Sequence, residues 1–227
     1  MLVVGVPAWL AQTNAYIVAD GPGGLAVVVD APPDPDLIGA VVAEHDLSLV
    51  GVLLTHGHID HTGGSGRLSR AAGASVYVHP DDDFLTLHPS EQLRAMFGMT
   101  PPGDYDLPEE FHALADGDVL EIAGLRFEVR HTPGHTPGHC CFYLEDQETL
   151  FSGDQLFAGS IGRYDFPYGD GDALFRSMRE KVMTLDDGVR VLPGHGPETT
   201  IGRERATNPF LAEAAAGAGP APSGRGL

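Results

Sequence analysis

"LLTHGHIDHTGG", residues 53–64, sets His56, His58, Asp60 and His61 within six positions, directly behind an apolar run. That run, "LVGVLL" (49–54), is continuously aliphatic and reads as a central strand covered on both faces. A His-x-His-x-Asp-His string beyond such a strand lies in a loop, where the backbone is free to turn several side chains inward. Imidazole nitrogen together with carboxylate oxygen suits zinc, iron or manganese and suits calcium poorly. A single loop histidine is ordinarily solvated, so the string gains its meaning from the rest of the chain.

Comparable residues recur at comparable places. "HTPGHTPGH" (131–139) puts His135 beyond the strand-like "RFEVR" (126–130). "FSGDQ" (151–155) puts Asp154 beyond "TLF", and "LPGHGP" (192–197) puts His195 beyond "VRVL". Each is a metal-type residue beside glycine in a strand-exit loop. Six or seven such candidates exceed the four that close a structural zinc site. Two ions sharing a carboxylate would use them all.

Working outward, "LVVGV", "AYIVAD" and "LAVVVDA" are short, rich in β-branched residues and separated by "DGPGG" and "PPDPD", which predicts a meander of strands. Leu37, Ile38, Val41 and Val42 follow helical spacing from Asp36 to about His45. "GRLSRAAGA" predicts a helix ending near Gly73, and "SVYVHP" another strand. Residues 81–115 are rich in proline and acidic residues, with one short helix expected around Glu91–Phe97 in a lid or insertion. In the second half, "DVLEIAG" with "LRFEVRHTPG" and "HCCFYLED" with "ETLFSGD" predict two hairpins, and a helix is expected over Asp172–Leu185. The expected organisation is one α/β (α+β) domain over residues 1–210, two mixed sheets face to face with helices outside. Residues 211–227, "AEAAAGAGPAPSGRGL" and the leucine before it, read as a disordered tail.

Composition excludes several classes. With 32 acidic against 13 basic residues the formal charge is -19, which repels a phosphate backbone and makes nucleic acid an unexpected partner. No apolar run reaches the roughly 18–20 residues that span a bilayer, so no membrane partner is expected. The apolar start, "MLVVGVPAWLAQTN", lacks a basic leader and reads as a first strand. The two cysteines, Cys140 and Cys141, are adjacent and point to opposite faces of a strand, so a reducing cytoplasm is the expected setting.

On these residues the chain resembles the metallo-β-lactamase-fold hydrolases, and within them the glyoxalase II-like (hydroxyacylglutathione hydrolase-like) thioesterases. The resemblance covers residues 12–210 through "THGHIDH", "HTPGHTPGH", "SGD", "GSIGRYDFP", "PGHGP" and "NPFL". It implies a four-layer αββα sandwich and two divalent ions, zinc first, with iron or manganese as alternatives. One ion would be held by His56, His58 and His135, the second by Asp60, His61 and His195, with Asp154 bridging. It further implies cleavage of an acyl thioester, S-lactoylglutathione or a related hydroxyacyl thioester, by a hydroxide between the metals, with Asp60 also orienting that nucleophile. Thr55 and Thr132 stand beside ligands as candidate hydrogen-bond partners. Arg163 and Tyr164 in "GSIGRYDFP" are the candidate substrate contacts, although Arg163 could instead pair with Asp165 or Asp170 and brace the loop. The C-terminal helical region that supplies glutathione contacts in full-length glyoxalase II is expected to be missing or reduced. His45, His79, His88, His112, His131 and His139 lack such spacing and are expected on the surface or in packing. Rival readings are a persulfide dioxygenase with one iron, a lactonase or β-lactamase on the same fold, and a metal-binding module without turnover.

Overall fold

The computed structural model describes residues 1–217. Three apolar segments near the N-terminus, β1 (Leu2–Ala8), β2 (Thr13–Ala19) and β3 (Leu25–Val29), form the expected antiparallel meander. The chain then crosses over through α1 (Pro35–Glu44), so that β4 (Ser48–Leu53) lies parallel to β3. The ligand-rich loop carries the four-residue α2 (Ile59–Thr62), and α3 (Ser65–Ala72) returns the chain to β5 (Ser75–Val78). Gly73 ends α3 at φ 68°, a left-handed turn that glycine adopts without a Cβ penalty. Two short helices, α4 (Asp83–Thr86) and α5 (Pro89–Phe97), precede β6 (His112–Ala113), the edge of the first six-stranded sheet.

The second sheet is built likewise. β7 (Val119–Ile122), β8 (Leu125–His131), β9 (Cys140–Leu144) and β10 (Thr149–Gly153) form successive antiparallel hairpins. A small ribbon, β11 (Leu156–Phe157) with β12 (Ser160–Ile161), leads into α6 (Gly171–Ser177), which continues as a π-turn through Val182. β13 (Arg190–Pro193) pairs parallel to β10, and β14 (Thr199–Thr200) closes the edge before α7 (Ile201–Thr207) and α8 (Pro209–Ala215).

Period-2 alternation places the core. Along β2, Tyr16 and Val18 face the second sheet while Ala15, Ile17 and Ala19 face the helices. Cys140 and Cys141 divide the same way on β9, one between the sheets and one under α6, both buried and free. The three apolar layers that result, helix to sheet, sheet to sheet and sheet to helix, are those of a four-layer αββα sandwich. No helix among the described residues is long and apolar enough to cross a membrane.

One boundary needs correction. α8 runs to Ala215, and Leu211 and Ala214 are buried in the outer layer of the second sheet. The Asn208 side chain caps that helix, accepting from the Phe210 amide at 3.0 Å. The helix therefore extends past residue 210, because Leu211 and Ala214, spaced three apart on one face, dock a capped turn onto the second sheet. Residues 218–227 of the expected tail lie outside the described residues.

Candidate metal centre

Four strands end at the same edge of the sandwich, and each delivers donors. Beyond β4 come His56 and His58, with Asp60 and His61 on α2; beyond β8, β10 and β13 come His135, Asp154 and His195. The structure brings all seven predicted donors together, and six of the seven are buried. His58 Nδ1 lies 3.0 Å from His56 Nε2 and 2.9 Å from His135 Nε2. In the neighbouring group His61 Nε2 is 3.6 Å from Asp60 Oδ2 and 3.4 Å from His195 Nε2, and His195 Nε2 is 3.4 Å from Asp60 Oδ2. Asp154 faces both: Oδ1 is 3.4 Å from His61 Nε2, and Oδ2 is 3.4 Å from His135 Nε2.

The surrounding hydrogen bonds test whether these donors fit metal ions. His135 Nδ1 donates to the Arg163 carbonyl at 2.7 Å, and His61 Nδ1 donates to Asp30 Oδ2 at 2.8 Å. Thr55 Oγ1 gives its proton to Asp30 and lies 3.0 Å from His56 Nδ1, so it accepts there. His58 Nε2 lies 2.7 Å from Tyr168 Oη. With the outward nitrogens of His56, His58 and His135 protonated by this network, their inward nitrogens carry lone pairs. Lone pairs that converge at 2.9–3.0 Å repel one another and are reconciled by a shared cation. A tetrahedral ion with bonds of about 2.0–2.1 Å sets its donors about 3.3 Å apart, within the spread seen here. Asp154 Oδ1 is also buried without a hydrogen-bond partner, as a carboxylate oxygen reserved for a metal would be. The residues fit the pair of ions.

Electrostatics separates the two groups. Burial first, and then the neighbouring imidazoles, hold His56 and His58 well below the ordinary histidine range; burial also lowers His135. These three are neutral and ready to ligate. For His61 burial again opposes a charge, but Asp30, Asp60 and Asp154 outweigh it and push the pKa up to about 10. Asp60 is held well below the carboxylate range because His61 and His195 overcome the cost of its burial. The second group thus contains carboxylates that demand positive charge.

Several supporting residues were not singled out from the sequence. Asp30, the last residue of "VVVD", ties Thr55 to His61 and was findable as a lone carboxylate closing an apolar strand. Thr13 Oγ1 donates to Asp60 Oδ2 at 3.0 Å. Asp82, fully buried, accepts from the Gly57 amide at 2.7 Å, the Gly138 amide at 2.6 Å and Thr136 Oγ1 at 2.7 Å, joining the two histidine loops. Its neighbours must be glycine: a Cβ at Gly57 would lie 2.9 Å from Asp82 Cβ, and one at Gly138 2.7 Å from Asp82 Cγ.

Two expectations change. His139 is buried, not a surface or passive packing residue: its Nε2 accepts the Asp154 amide at 3.0 Å, and its Nδ1 is 2.8 Å from Thr132 Oγ1. Tyr164 leans edge-on against Phe175, ring centroids 6.3 Å apart, and packs against the outer core of the second sheet. The tyrosine that reaches the ligands is Tyr168, four residues on. Arg163 takes the bracing alternative, with Nε and Nη2 at 2.8 and 3.1 Å from the two Asp165 oxygens. A further group, His79, Asp81 and His131, lies apart from the cage. The His79 and His131 rings stack at 4.0 Å and 7°, so their in-plane lone pairs run side by side without converging, and His131 Nε2 donates to the Pro137 carbonyl. His79 Nδ1 in turn accepts the Asp81 amide at 3.2 Å, so each ring has one nitrogen engaged by the backbone.

Comparison with known proteins agrees with the geometry. The family described as "Metallo-beta-lactamase superfamily" matches residues 8–195. An uncharacterized protein of Mycobacterium leprae is 41% identical over 223 residues, covering 93% of this chain and 99% of that protein. A Haemophilus influenzae protein named hydroxyacylglutathione hydrolase GloC is 36% identical, covering 91% and 96%. Among solved structures, BLEG-1, a B3 metallo-beta-lactamase, superposes with a TM-score of 0.85 at 34% identity, covering 92% of this chain and 99% of that one. TTHA1623 in a di-iron-bound form superposes at 0.81 and 40% identity, covering 92% and 100%.

Proposed function

The chain belongs to the metallo-beta-lactamase superfamily, and on that premise we propose that it is a two-metal hydrolase of acyl thioesters. The observation that carries the reading is Asp154, whose two oxygens face the two donor groups, one of them with no other partner. His56, His58 and His135 would hold one ion and Asp60, His61 and His195 the other; imidazole and carboxylate accept zinc, iron or manganese. Such ions supply a strong nucleophile from water at neutral pH and a Lewis acid for a carbonyl.

The chain's own residues set the stage for that chemistry. Asp30 fixes the tautomer of His61, and Thr55 and the Arg163 carbonyl fix those of His56 and His135, so the donors are preorganised. Asp60, oriented by the Thr13 hydroxyl, presents a carboxylate able to align an attacking water as well as to ligate. His195, the most exposed of the seven at 26% of its side chain, marks the open side of the cage. A thiolate leaves without a proton donor, so no separate acid is required. The hydroxyacylglutathione hydrolase relative supports a thioester; the BLEG-1 likeness favours a lactam as the second reading.

Elemental analysis of the purified protein, paired with thioesters, a lactone, a β-lactam and glutathione persulfide, tests the proposal. Two ions per chain with thioesters cleaved fastest is the expected result. One iron with oxygen consumed on the persulfide, or a lactam turned over in preference to every thioester, overturns it.

A further inference from the structure

A groove of about 880 Å³ opens beside the cage, between helices α4 and α5 on one side and residues 163–168 on the other. None of the seven donors lines it, but two of its wall residues touch them. Tyr168, one of its walls, meets His58 through its hydroxyl, and the Phe166 ring lies 5.1 Å from that of His58 and 5.7 Å from that of His135. The opposite wall is fixed to the same loop. Buried Gln92 on α5 accepts the Ile59 amide at 3.1 Å and donates to the carbonyls of Gly57 and Leu85 at 2.9 and 2.7 Å. The width of the groove is therefore set by the ligand loop itself.

Its lining is mixed, with aromatic and apolar side chains beside His88, Glu91, Gln92, Arg163 and Asp165. Phe166 and Tyr168 stack at 12° with centroids 5.5 Å apart, and Phe84 meets Tyr168 edge-on at 5.4 Å while staying 44% exposed. The exposed Phe84 ring beside this stack gains from an apolar group laid against it. The one arginine does not alter this. Arg163 forms a fork with Asp165 and lies over the Phe166 ring at 4.5 Å, so its charge is paired at the exposed rim. With Glu91 and His88 on the helical side, the lining carries one arginine and one histidine against two carboxylates, in a chain whose formal charge is -19. A carrier bearing carboxylates, as glutathione does, meets there an arginine already paired with Asp165.

We propose that this groove seats an uncharged aryl or medium-length alkyl group of the thioester, with Phe84 as the residue that touches it and Asp165 as the residue that withholds Arg163 from anionic carriers. This rests on the thioester reading, and it narrows the substrate class away from glutathione.

The test uses the zinc-loaded full chain and two thioethers that cannot be hydrolysed, S-benzyl-N-acetylcysteamine and S-methylglutathione, each titrated calorimetrically. The benzyl compound should bind about tenfold tighter or better, the span a well-fitted apolar group gives. Phe84→Ala should remove most of that preference while leaving S-methylglutathione unchanged. Asp165→Asn should strengthen S-methylglutathione several-fold by freeing Arg163. Both side chains are exposed, and matching thermal melts confirm that the variants are folded. Equal or tighter binding of S-methylglutathione, or a Phe84→Ala protein that keeps the preference, overturns the proposal. A kinetic arm locates the group. Phe84→Ala should lower kcat/KM for either the phenylacetyl thioester of N-acetylcysteamine or the acetyl thioester of benzyl mercaptan, marking the acyl or the thiol side. If the binding preference holds and no thioester turns over, the groove stands and the hydrolase reading falls. If thioesters turn over and the preference is absent, the hydrolase reading stands and the groove assignment falls.

Discussion

Asp82→Ala should damage both the fold and the metal centre, by an amount that follows from three contacts. The carboxylate accepts the Gly57 and Gly138 amides and the Thr136 hydroxyl in a place closed to water. Truncation leaves those donors facing a void. The hydroxyl can rotate to another acceptor, but the two amides cannot, and each buried unpaired N–H costs about 1–3 kcal/mol. The expected loss is about 4 kcal/mol, which for a domain of this size lowers Tm by about 8–16 °C. Gly57 lies between His56 and His58, and Gly138 lies in the loop that carries His135, so the first donor group loosens with the fold. Affinity for the first ion should fall about 10–100-fold, as it does when a partner that orients a ligand is removed. Asp82→Asn keeps the shape but turns an amide NH2 toward a donor, and should cost about half as much in stability. Denaturation after chelation, alongside competition for zinc with a chromophoric chelator, reads the two effects separately. An Asp82→Ala protein with Tm within about 2 °C of wild type and unaltered zinc affinity would refute the account of this carboxylate as the tie between the loops.

Three further outcomes follow from the same geometry. Asp60→Asn should lose the second ion and cut kcat/KM at least about 100-fold; full metal content with full turnover would remove Asp60 from both of its assigned roles. Binding of the second ion near pH 7 should expel about one proton, because Asp30, Asp60 and Asp154 raise His61 to about 10 against the opposing effect of burial. The sign is fixed: a proton that must leave competes with the metal, so second-ion affinity weakens as pH falls from 8 to 6, about tenfold per unit. The first ion, held by histidines that burial keeps neutral, should show little change, and calorimetry in buffers of different ionisation enthalpy distinguishes the two. His139→Leu removes the acceptor for the Asp154 amide, and should cost about 1–3 kcal/mol in denaturation together with a weaker grip on both ions; loss of stability alone would mean that His139 serves only the core.

Much of this was legible in the sequence because the informative residues sit where local pattern speaks. Short apolar runs lead to all seven donors, five of which border a glycine, and the period-2 rule divides the residues of β2 and β9 into two opposite faces. Gly194 shows why the glycines recur: a Cβ there would fall against Asp154 Oδ1 and 2.7 Å from His61 Cε1. The supporting residues were illegible for the opposite reason. Asp82 is the middle of three consecutive aspartates, and only the fold decides that it alone of the three is buried. Tyr168 meets a histidine 110 positions away, and Gln92 an amide 33 positions away. His139 repeats the Pro-Gly-His pattern of His135, yet it stands at the entrance to β9, where the strand turns it under Asp154. The helix through Ala215 was missed because alanine-rich sequence carries no periodic signal until a neighbouring surface receives it.

The most direct test is a crystal structure of the zinc-loaded protein with anomalous data collected at the zinc edge. Two peaks about 3.5–4 Å apart are predicted, one among His56, His58 and His135, the other among Asp60, His61 and His195, with one Asp154 oxygen on each. A single peak, or an Asp154 carboxylate turned away from both groups, would contradict the account.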